Sequence, residues 1–402
     1  MSLQIQIDHG AAWVVEQLEN AGYEAYVVGG CVRDALMGIT PKDWDITTSA
    51  RPEQVKEVFS VTFDTGIEHG TVSVRYEHET YEVTTYRIDG AYTDHRRPDA
   101  VAFTSLLYED LARRDFTINA MAYHPERGLV DYFEGQLDLQ RGCIRCVGKA
   151  EERFEEDALR MLRAIRFAAR LRFEIEENTF KAIQNKAEGL AHVSRERVAD
   201  EMNKTLLCEE PQGLCKIVSG GLYPYICQQF KLQDQPEADF EAPGKVPAEK
   251  SLRWAALLHR MGCEQAGKVL RELKFDNATQ RDTVHYLQFL GAALPQTGRD
   301  MRFFLHELGT DYYAGLCKLK VAAGYNKPEE VASVWTIFEA EEQQCVTLHQ
   351  LAVSGRDLIG AGAQTGKALG RCLEQLLQVV MEEPQMNDKE KLLQYFRENL
   401  MA

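Results

Sequence analysis

Two aspartates separated by one residue, Asp43 and Asp45, close the stretch 26–48, YVVGGCVRDALMGITPKDWDITT. Side chains on a β-strand alternate with period two, so a strand carrying both acids would project them from one face. Such a face is a poor core and a good seat for a divalent cation. Upstream, Gly29 and Gly30 separate an apolar strand, 26–28, from a short helix, 31–37. A diglycine at a helix N-terminus lets a polyphosphate approach bare backbone N–H groups where the dipole favours anions. Metal ligands and a phosphate cradle therefore fall within one supersecondary unit.

A third acid, Glu82, lies in TYEVTTY (80–86), which alternates like a strand paired with TVSVR (71–75) around the turn EHE. Period two puts Glu82 on one face with Thr80 and Thr84. From a neighbouring strand it would complete a metal site with Asp43 and Asp45; the plain alternative is a solvent-facing glutamate. Further on, RRDFTINAMAY (113–123) offers Arg113, Arg114, Asp115 and Asn119 as groups able to hold phosphate and ribose hydroxyls through charge-assisted bonds. Phe116, Ile118 and Met121 would supply a wall. A solvated helix start would give the same residue types. Residues 151–172 read as one helix, with Arg153, Arg160, Arg163, Arg166 and Arg170 at spacings of three, four or seven and Leu159, Leu162, Ile165 and Ala169 on another face. An arginine stripe is more often a solvated face than a binding site, but Asp157 one turn before Arg160 sets an acid beside a base.

Three acids, a phosphate cradle and several arginines point to metal-assisted phosphoryl or nucleotidyl transfer. Two cations bridged by Asp43 and Asp45 would lower the pKa of an attacking hydroxyl and neutralise a leaving pyrophosphate. Carboxylate and water ligands favour Mg²⁺ over zinc. No Ser/His/Asp order or Cys/His pair offers a competing nucleophile.

The elements that must position these groups begin with a helix over 8–20, in which Ala12, Val15 and Leu18 recur at helical spacing before Gly22. A second helix should run from Arg51 and Pro52 to Phe59, with Ser49 as its cap. The first 86 residues thus form a small mixed α/β sheet. Residues 87–99 make a polar loop bearing Arg87, Tyr92, Asp94, Arg96 and Arg97, suited to touching a polyanion. Residues 106–112 open a helical segment running into 113–123, and 129–142 read as a hairpin or linker closing the first domain. Beyond it the chain reads as helical, including 194–207 with Ser194 as cap, 251–273 and 279–294; 228–250, with three prolines, reads as a surface connection. Glycines at 355, 360, 362, 366 and 370 precede an amphipathic helix and could offer N–H groups to nucleic-acid phosphate. Gly366-Lys367 is not a nucleotide loop, because Ala368 stands where Ser or Thr is needed.

With 402 residues, 45% hydrophobic and 27% charged, the chain has the composition of a soluble globular protein of two to four domains. No window is apolar enough for a membrane span and MSLQIQIDHG lacks the regions of a secretory signal, so a cytoplasmic location and no membrane partner are expected. The 10 cysteines are scattered, and Cys143 and Cys146 find no second pair to complete a zinc site. A net charge of −16 argues against coating nucleic acid through bulk electrostatics; an RNA partner would need segregated basic residues.

GGxVRD at 29–34, DxD at 43–45, RRDFTINA at 113–120, EEDALRMLRAIRF at 155–167 and ERVADEM at 196–202, in this order, resemble the bacterial class II CCA-adding tRNA nucleotidyltransferases of the polymerase-β-like superfamily. The resemblance spans about half the chain in ordered motifs. It implies an α+β fold shaped like a seahorse: a small mixed β-sheet nucleotidyltransferase head (1–142), then an elongated all-α neck with the base-selecting helix (143–210), body (211–300) and tRNA-binding tail (301–402). It implies addition of C, C and A to the 3′ end of tRNA from CTP and ATP with Mg²⁺, and leaves homodimerisation open. Asp43 and Asp45 would bind the metal with Glu82 as third acid; Gly29, Gly30 and Arg33 would lie along the triphosphate; Arg114, Asp115 and Asn119 would hold the nucleotide. Asp157 and Arg160 would present Watson–Crick-like acceptors and donors to the base, and Arg163 and Arg166 on the same helix join the nucleotide-binding set. Relatives with these motifs perform full CCA addition, CC addition, A addition or poly(A) synthesis. The full-length segment 87–99 favours a competent A-adding step, with an A-only or poly(A)-type enzyme as the alternative. A non-catalytic RNA-binding protein on a decayed transferase domain is disfavoured by the intact Asp43, Asp45 and Glu82.

Overall fold

The computed structural model describes residues 5–89, 101–230 and 237–401. The chain divides into two compact units, the first made of Met1–Phe240 with Lys268–Phe275 and the second of Glu241–Gly267 with Asp276–Ala402.

The first unit opens with α1 (His9–Asn20), whose cap Asp8 accepts from the backbone N–H groups of Gly10 and Ala11 at 3.0 and 3.1 Å. Strand β1 (Ala25–Val28), α2 (Gly30–Leu36), β2 (Asp45–Thr48) and α3 (Pro52–Val58) follow. Next come β3 (Thr62–Gly66), β4 (Thr71–Tyr76), β5 (Glu79–Thr85) and the short pair β6 (Arg87–Asp89) and β7 (Val101–Phe103). Then α4 (Leu107–Ala112), β8 (Met121–His124), β9 (Gly128–Asp131), α5 (Gly135–Arg141) and β10 (Cys143–Ile144) complete this part of the unit. Seven strands form one mixed sheet in the order β3-β4-β5-β2-β1-β8-β9. Val27, Ile46, Val72, Val74 and Val83 pack on one face against Val14, Val15 and Leu18 of α1, while Tyr26, Val28, Tyr86, Leu111 and Ala122 form a second buried cluster. β2 runs parallel to β5 in a register that sets Asp45 opposite Glu82.

Several local expectations change. Ser49 does not cap α3; its Oγ accepts from Glu24 N–H at 2.9 Å, and Arg51 holds the cap position. β3 has no counterpart in the sequence reading, since TFDTG lacks an apolar alternation and its edge position leaves Phe63 exposed. The helix from 106 stops at Ala112, and Ala122 and Tyr123 belong to a strand because β1 needs a second neighbour. Residues 129–142 are no hairpin but a strand followed by a helix, capped by Asp131, whose carboxylate accepts from Gly135 and Gln136 N–H at 2.8 and 2.9 Å. Of the polar loop, 90–100 lies outside the described residues, together with Tyr92, Asp94, Arg96 and Arg97.

The helical part of the first unit comprises α6 (Ala150–Glu156), α7 (Leu159–Leu171), the two-residue strand β11 (Glu174–Ile175), α8 (Glu177–Lys186), α9 (Arg195–Leu206), α10 (Cys215–Ser219) and α11 (Tyr223–Ile226). Ser194 takes the cap position of α9 without a side-chain bond. The single helix expected over 151–172 is two helices, broken where Asp157 turns extended (φ −144°, ψ 102°) and its carboxylate caps Leu159 N–H at 3.1 Å.

The second unit is all helical: α12 (Lys250–Leu258), α13 (Gly262–Glu272, which ends in the first unit), α14 (Asn277–Leu290), α15 (Gly298–Leu308), α16 (Thr310–Ala322), α17 (Pro328–Glu341), α18 (Gly355–Gly360), α19 (Lys367–Glu382) and α20 (Lys389–Asn399). The expected helix over 251–273 is therefore split at 259–261. The proline-bearing connection is partly core, with Phe240, Ala242 and Val246 buried; 231–236 lies outside the described residues. No helix among the described residues is long and apolar enough to cross a membrane.

Candidate active site

The turn after β1 is built on Gly29, whose φ of +83° and ψ of −129° suit glycine alone. A Cβ there would also stand 3.1 Å from Arg114 Nη1. Arg114 is held by Asp110 Oδ2 at 3.0 Å, and Arg113 by Asp110 Oδ1 at 2.8 Å. Asp110 is fully buried; burial pushes its carboxyl up, and the adjoining Arg114 and Arg113 charges pull it below its ordinary value.

Asp43 and Asp45 do not share a strand. β2 begins at Asp45, and Asp43 sits in the bend before it, past the end of the pairing with β1, so period-two alternation does not set its direction. Among the described residues no group of three or more His, Cys, Asp or Glu side chains is arranged to hold a metal ion by itself, so the three-carboxylate set expected from Asp43, Asp45 and Glu82 is not preassembled. The acids do feel one another. The Asp45 carboxyl is raised first by desolvation, then by the charges of Glu82 and Asp43, with Arg114 opposing.

Below the turn lies a buried chain of polar groups. Arg33 binds Asp34 Oδ1 through Nε and Nη2 at 2.8 and 2.6 Å, and donates through Nη1 to Asn119 Oδ1 at 2.5 Å. Asn119 donates to Asp115 Oδ1 at 3.2 Å, and Asp115 Oδ2 takes two bonds from Arg163 at 2.8 and 2.6 Å. Burial would raise the Asp115 carboxyl, yet Arg163, then Arg160 and Asn119, bring it down to about 2. Arg166 binds Glu201 at 2.6 Å, and the guanidinium groups of Arg33, Arg163 and Arg166 lie 5.2, 5.4 and 4.2 Å from the Phe167 ring centroid. Arg160, Arg163 and Arg166 of the stripe are thus turned into protein, which their spacing could not show, while Arg170 at its end stays exposed and pairs with Asp34 at 3.3 Å.

Asp157 and Arg160 are not paired with each other through their side chains. Arg160 donates to Glu156 Oε2 at 2.5 Å and to Arg113 O at 3.1 Å, while Asp157 binds Arg197 of α9 at 2.7 Å. The helix break separates them: Asp157 faces α9, and Arg160 starts the next helix. Phe116, Ile118 and Met121, expected to wall the site, are fully buried core residues.

Residues 25–145 match the Poly A polymerase head domain, 172–232 the probable RNA and SrmB-binding site of polymerase A, and 247–396 a putative tRNA nucleotidyltransferase domain 2. The CCA-adding enzyme of Lactiplantibacillus plantarum is 37% identical over 395 residues, covering 96% of this chain and 94% of that protein. The CCA-adding enzyme of Enterococcus faecalis is 37% identical over 396 residues with the same coverage. The chain belongs to the CCA-adding enzyme family. Among CCA-adding enzymes of known structure, that of Bacillus stearothermophilus in complex with CTP matches with a TM-score of 0.81 and 33% identity, covering 96% of each chain. The Thermotoga maritima CCA-adding enzyme complexed with tRNA_CCA shares the fold at a TM-score of 0.69 and 21% identity, covering 99% of this chain and 100% of that one.

Sequence reasoning about this member of the CCA-adding enzymes missed Asp34, Asp110, Glu156, Phe167, Arg197 and Glu201. Asp110 had a usable signal, since an acid three and four residues before Arg113 and Arg114 has the spacing at which helical neighbours meet, and the two ion pairs form just past the end of α4. The others sit inside motif strings, but only the fold shows what each supports.

Proposed function

We propose that this chain adds C, C and A to the 3′ end of tRNA from CTP and ATP without a nucleic-acid template. The tRNA 3′-hydroxyl oxygen bonds to the α-phosphorus, the α–β bridging bond breaks, and pyrophosphate leaves. The observation that carries this reading is the grouping of Asp45, its register partner Glu82 and the Gly29 turn with Arg114 against it. Carboxylates that repel one another, with that of Asp45 raised by burial first and then by the charges of Glu82 and Asp43, fit a divalent cation. Asp43 and Asp45 would hold Mg²⁺, which when bound lowers the pKa of the attacking hydroxyl and offsets charge on the leaving group.

In this reading Gly29, Gly30, Arg33 and Arg114 line the triphosphate, and Asp115 and Asn119 hold the nucleotide between the head (1–142) and the neck (143–210). Asp157 and Arg160 read the base, with Arg163 and Arg166 behind them, and the helical body (211–300) and tail (301–402) hold tRNA. An Asp accepts from the exocyclic amine of C or A and meets a carbonyl in U or G, so the pair selects without a template. The test is incubation of tRNA lacking its last three nucleotides with Mg²⁺ and labelled CTP and ATP, followed by analysis of product length. Three added nucleotides in the order C, C, A are expected; no incorporation of either overturns the reading. Asp43→Ala and Asp45→Ala should each abolish incorporation while tRNA affinity stays near wild type, and unchanged turnover in either defeats the metal assignment.

A further inference from the structure

Asp110 on α4 is fully buried, and both of its oxygens are engaged. Oδ1 accepts from Arg113 Nε and Nη2 at 3.1 and 2.8 Å, and Oδ2 from Arg114 Nη2 at 3.0 Å. Thr47 Oγ1 lies 3.3 Å from the same Oδ2, its proton shared with Thr84 O. Arg113 is thus gripped by a fork, whereas Arg114 hangs on one bond. Among the described residues no other group accepts from Arg114, and its Nε is buried without a hydrogen-bond partner. Thr47 ties this arrangement to the strand that begins with Asp45. It stands two residues further along β2, so the two side chains share a face. Ile46 pairs with Val27, which sets Asp45 one step nearer the Gly29 turn, where a Cβ on Gly29 would meet Arg114 Nη1 at 3.1 Å. Arg114 therefore lies between two sources of negative charge: the buried Asp110 that binds it and, toward the turn, Asp45 with its register partner Glu82.

A guanidinium beside a metal site can bind substrate phosphate or neutralise the acids meant for the metal, and one use excludes the other. Released from Asp110, Arg114 would pair with Asp45 and Glu82, whose mutual repulsion it would relieve. We propose that Asp110 is a positioning residue: by holding Arg114 at the Gly29 turn it keeps that cation off Asp45, leaving the carboxylate to a divalent ion and the guanidinium to the triphosphate. Asp110 prevails in this competition because it is fully buried, where solvent screens a charge least. The Arg114 charge already bears on Asp45 from the place where it is held, opposing the rise that burial, Glu82 and Asp43 cause. The proposal rests on Asp45 as a metal ligand.

The experiment titrates the full chain with Mn²⁺, which takes the same oxygen ligands as Mg²⁺, and reads free Mn²⁺ by electron paramagnetic resonance without tRNA or nucleotide. Separately, KM for CTP and ATP is measured with Mg²⁺ and tRNA lacking its last nucleotides. The variants are Asp110→Asn, Arg114→Met, the Asp110→Asn/Arg114→Met double variant and Asp45→Ala, each checked by thermal unfolding. Asp110→Ser, a smaller replacement read in the same way, serves should the asparagine variant not fold. Asp110→Asn should weaken Mn²⁺ binding by about 10-fold or more, because a unit charge brought into contact with a partly buried carboxylate is worth several RT. It should also raise KM for both nucleotides. Arg114→Met alone should bind Mn²⁺ at least as tightly as wild type. The double variant should return to the Mn²⁺ affinity of Arg114→Met while KM stays high, because the effect of Asp110 passes through Arg114. A role confined to stability would weaken Mn²⁺ binding equally with and without Arg114. Unchanged Mn²⁺ affinity in Asp110→Asn, weaker binding in Arg114→Met, or a loss that persists in the double variant overturns the proposal. Unchanged Mn²⁺ affinity in Asp45→Ala overturns instead the metal assignment on which it rests.

Discussion

Asp115 is where charge and stability meet most directly. Its carboxyl sits at about 2 against an ordinary 3.8, because Arg163, Arg160 and Asn119 together outweigh its burial. A depressed carboxyl contributes stability that is fully present above the unfolded value and is lost as pH falls through 3.8 toward about 2. The size is about 2 kcal/mol. Urea unfolding of wild type and Asp115→Asn should therefore differ most near pH 5 and converge toward pH 2; a constant gap would remove Asp115 from the acid response. Lys320 is depressed too, but there burial disfavours the charged form instead of a partner favouring it. It is fully buried, donates to Leu290 O and Ala292 O at 2.7 and 2.6 Å, and burial lowers it to about 8 from 10.5. The unfolded chain then holds the proton more tightly between these values, so stability relative to Lys320→Met should rise as pH goes from about 8 to 10.5.

At the scale of elements, α1 meets β5 so closely that one glycine decides the spacing. A Cβ on Gly10 would lie 2.2 Å from Tyr81 Oη, which itself donates to the helix cap Asp8 at 2.5 Å. Alanine improves helix propensity by about 1 kcal/mol in an exposed site. Here the clash and the lost cap geometry should outweigh that gain, and Gly10→Ala should lose about 1–3 kcal/mol in chemical denaturation. A neutral or stabilised variant would mean that Tyr81 swings aside at little cost. The break between α6 and α7 is the other element that matters for chemistry. A continuous helix would carry Asp157 on the same rigid rod as Arg160, whereas the extended residue lets it lean on Arg197.

For the whole molecule, the path of the chain has a consequence of its own. After entering the second unit at Glu241 it returns to the first for Lys268–Phe275, where Leu270, Leu273 and Phe275 are buried. Glu272 accepts from Gln228 N–H at 2.9 Å, and Lys274 pairs with Glu196 at 2.7 Å, one residue from Arg197. A fragment ending at residue 240 therefore lacks part of its own unit. It should unfold at lower denaturant than the corresponding transition of the full chain, and equal midpoints would show that the returning segment adds nothing.

The sequence by itself determined the chemistry and the order of parts. The Gly29-Gly30 turn and the ordered motifs sufficed for a nucleotidyltransferase head followed by helices, because glycine conformations and motif order are local properties of the chain, whereas period-two alternation placed Asp43 on a strand that begins only at Asp45. Tertiary structure decided which charged groups meet. Helical spacing put Arg163 and Arg166 on a face but could not say that the face is buried against Asp115 and Glu201. It set Asp157 near Arg160, whereas a backbone break and a guanidinium 40 residues away in sequence give Asp157 a different partner. Ion pairs between distant segments depend on which surfaces packing brings together, and no periodicity within one segment encodes that choice.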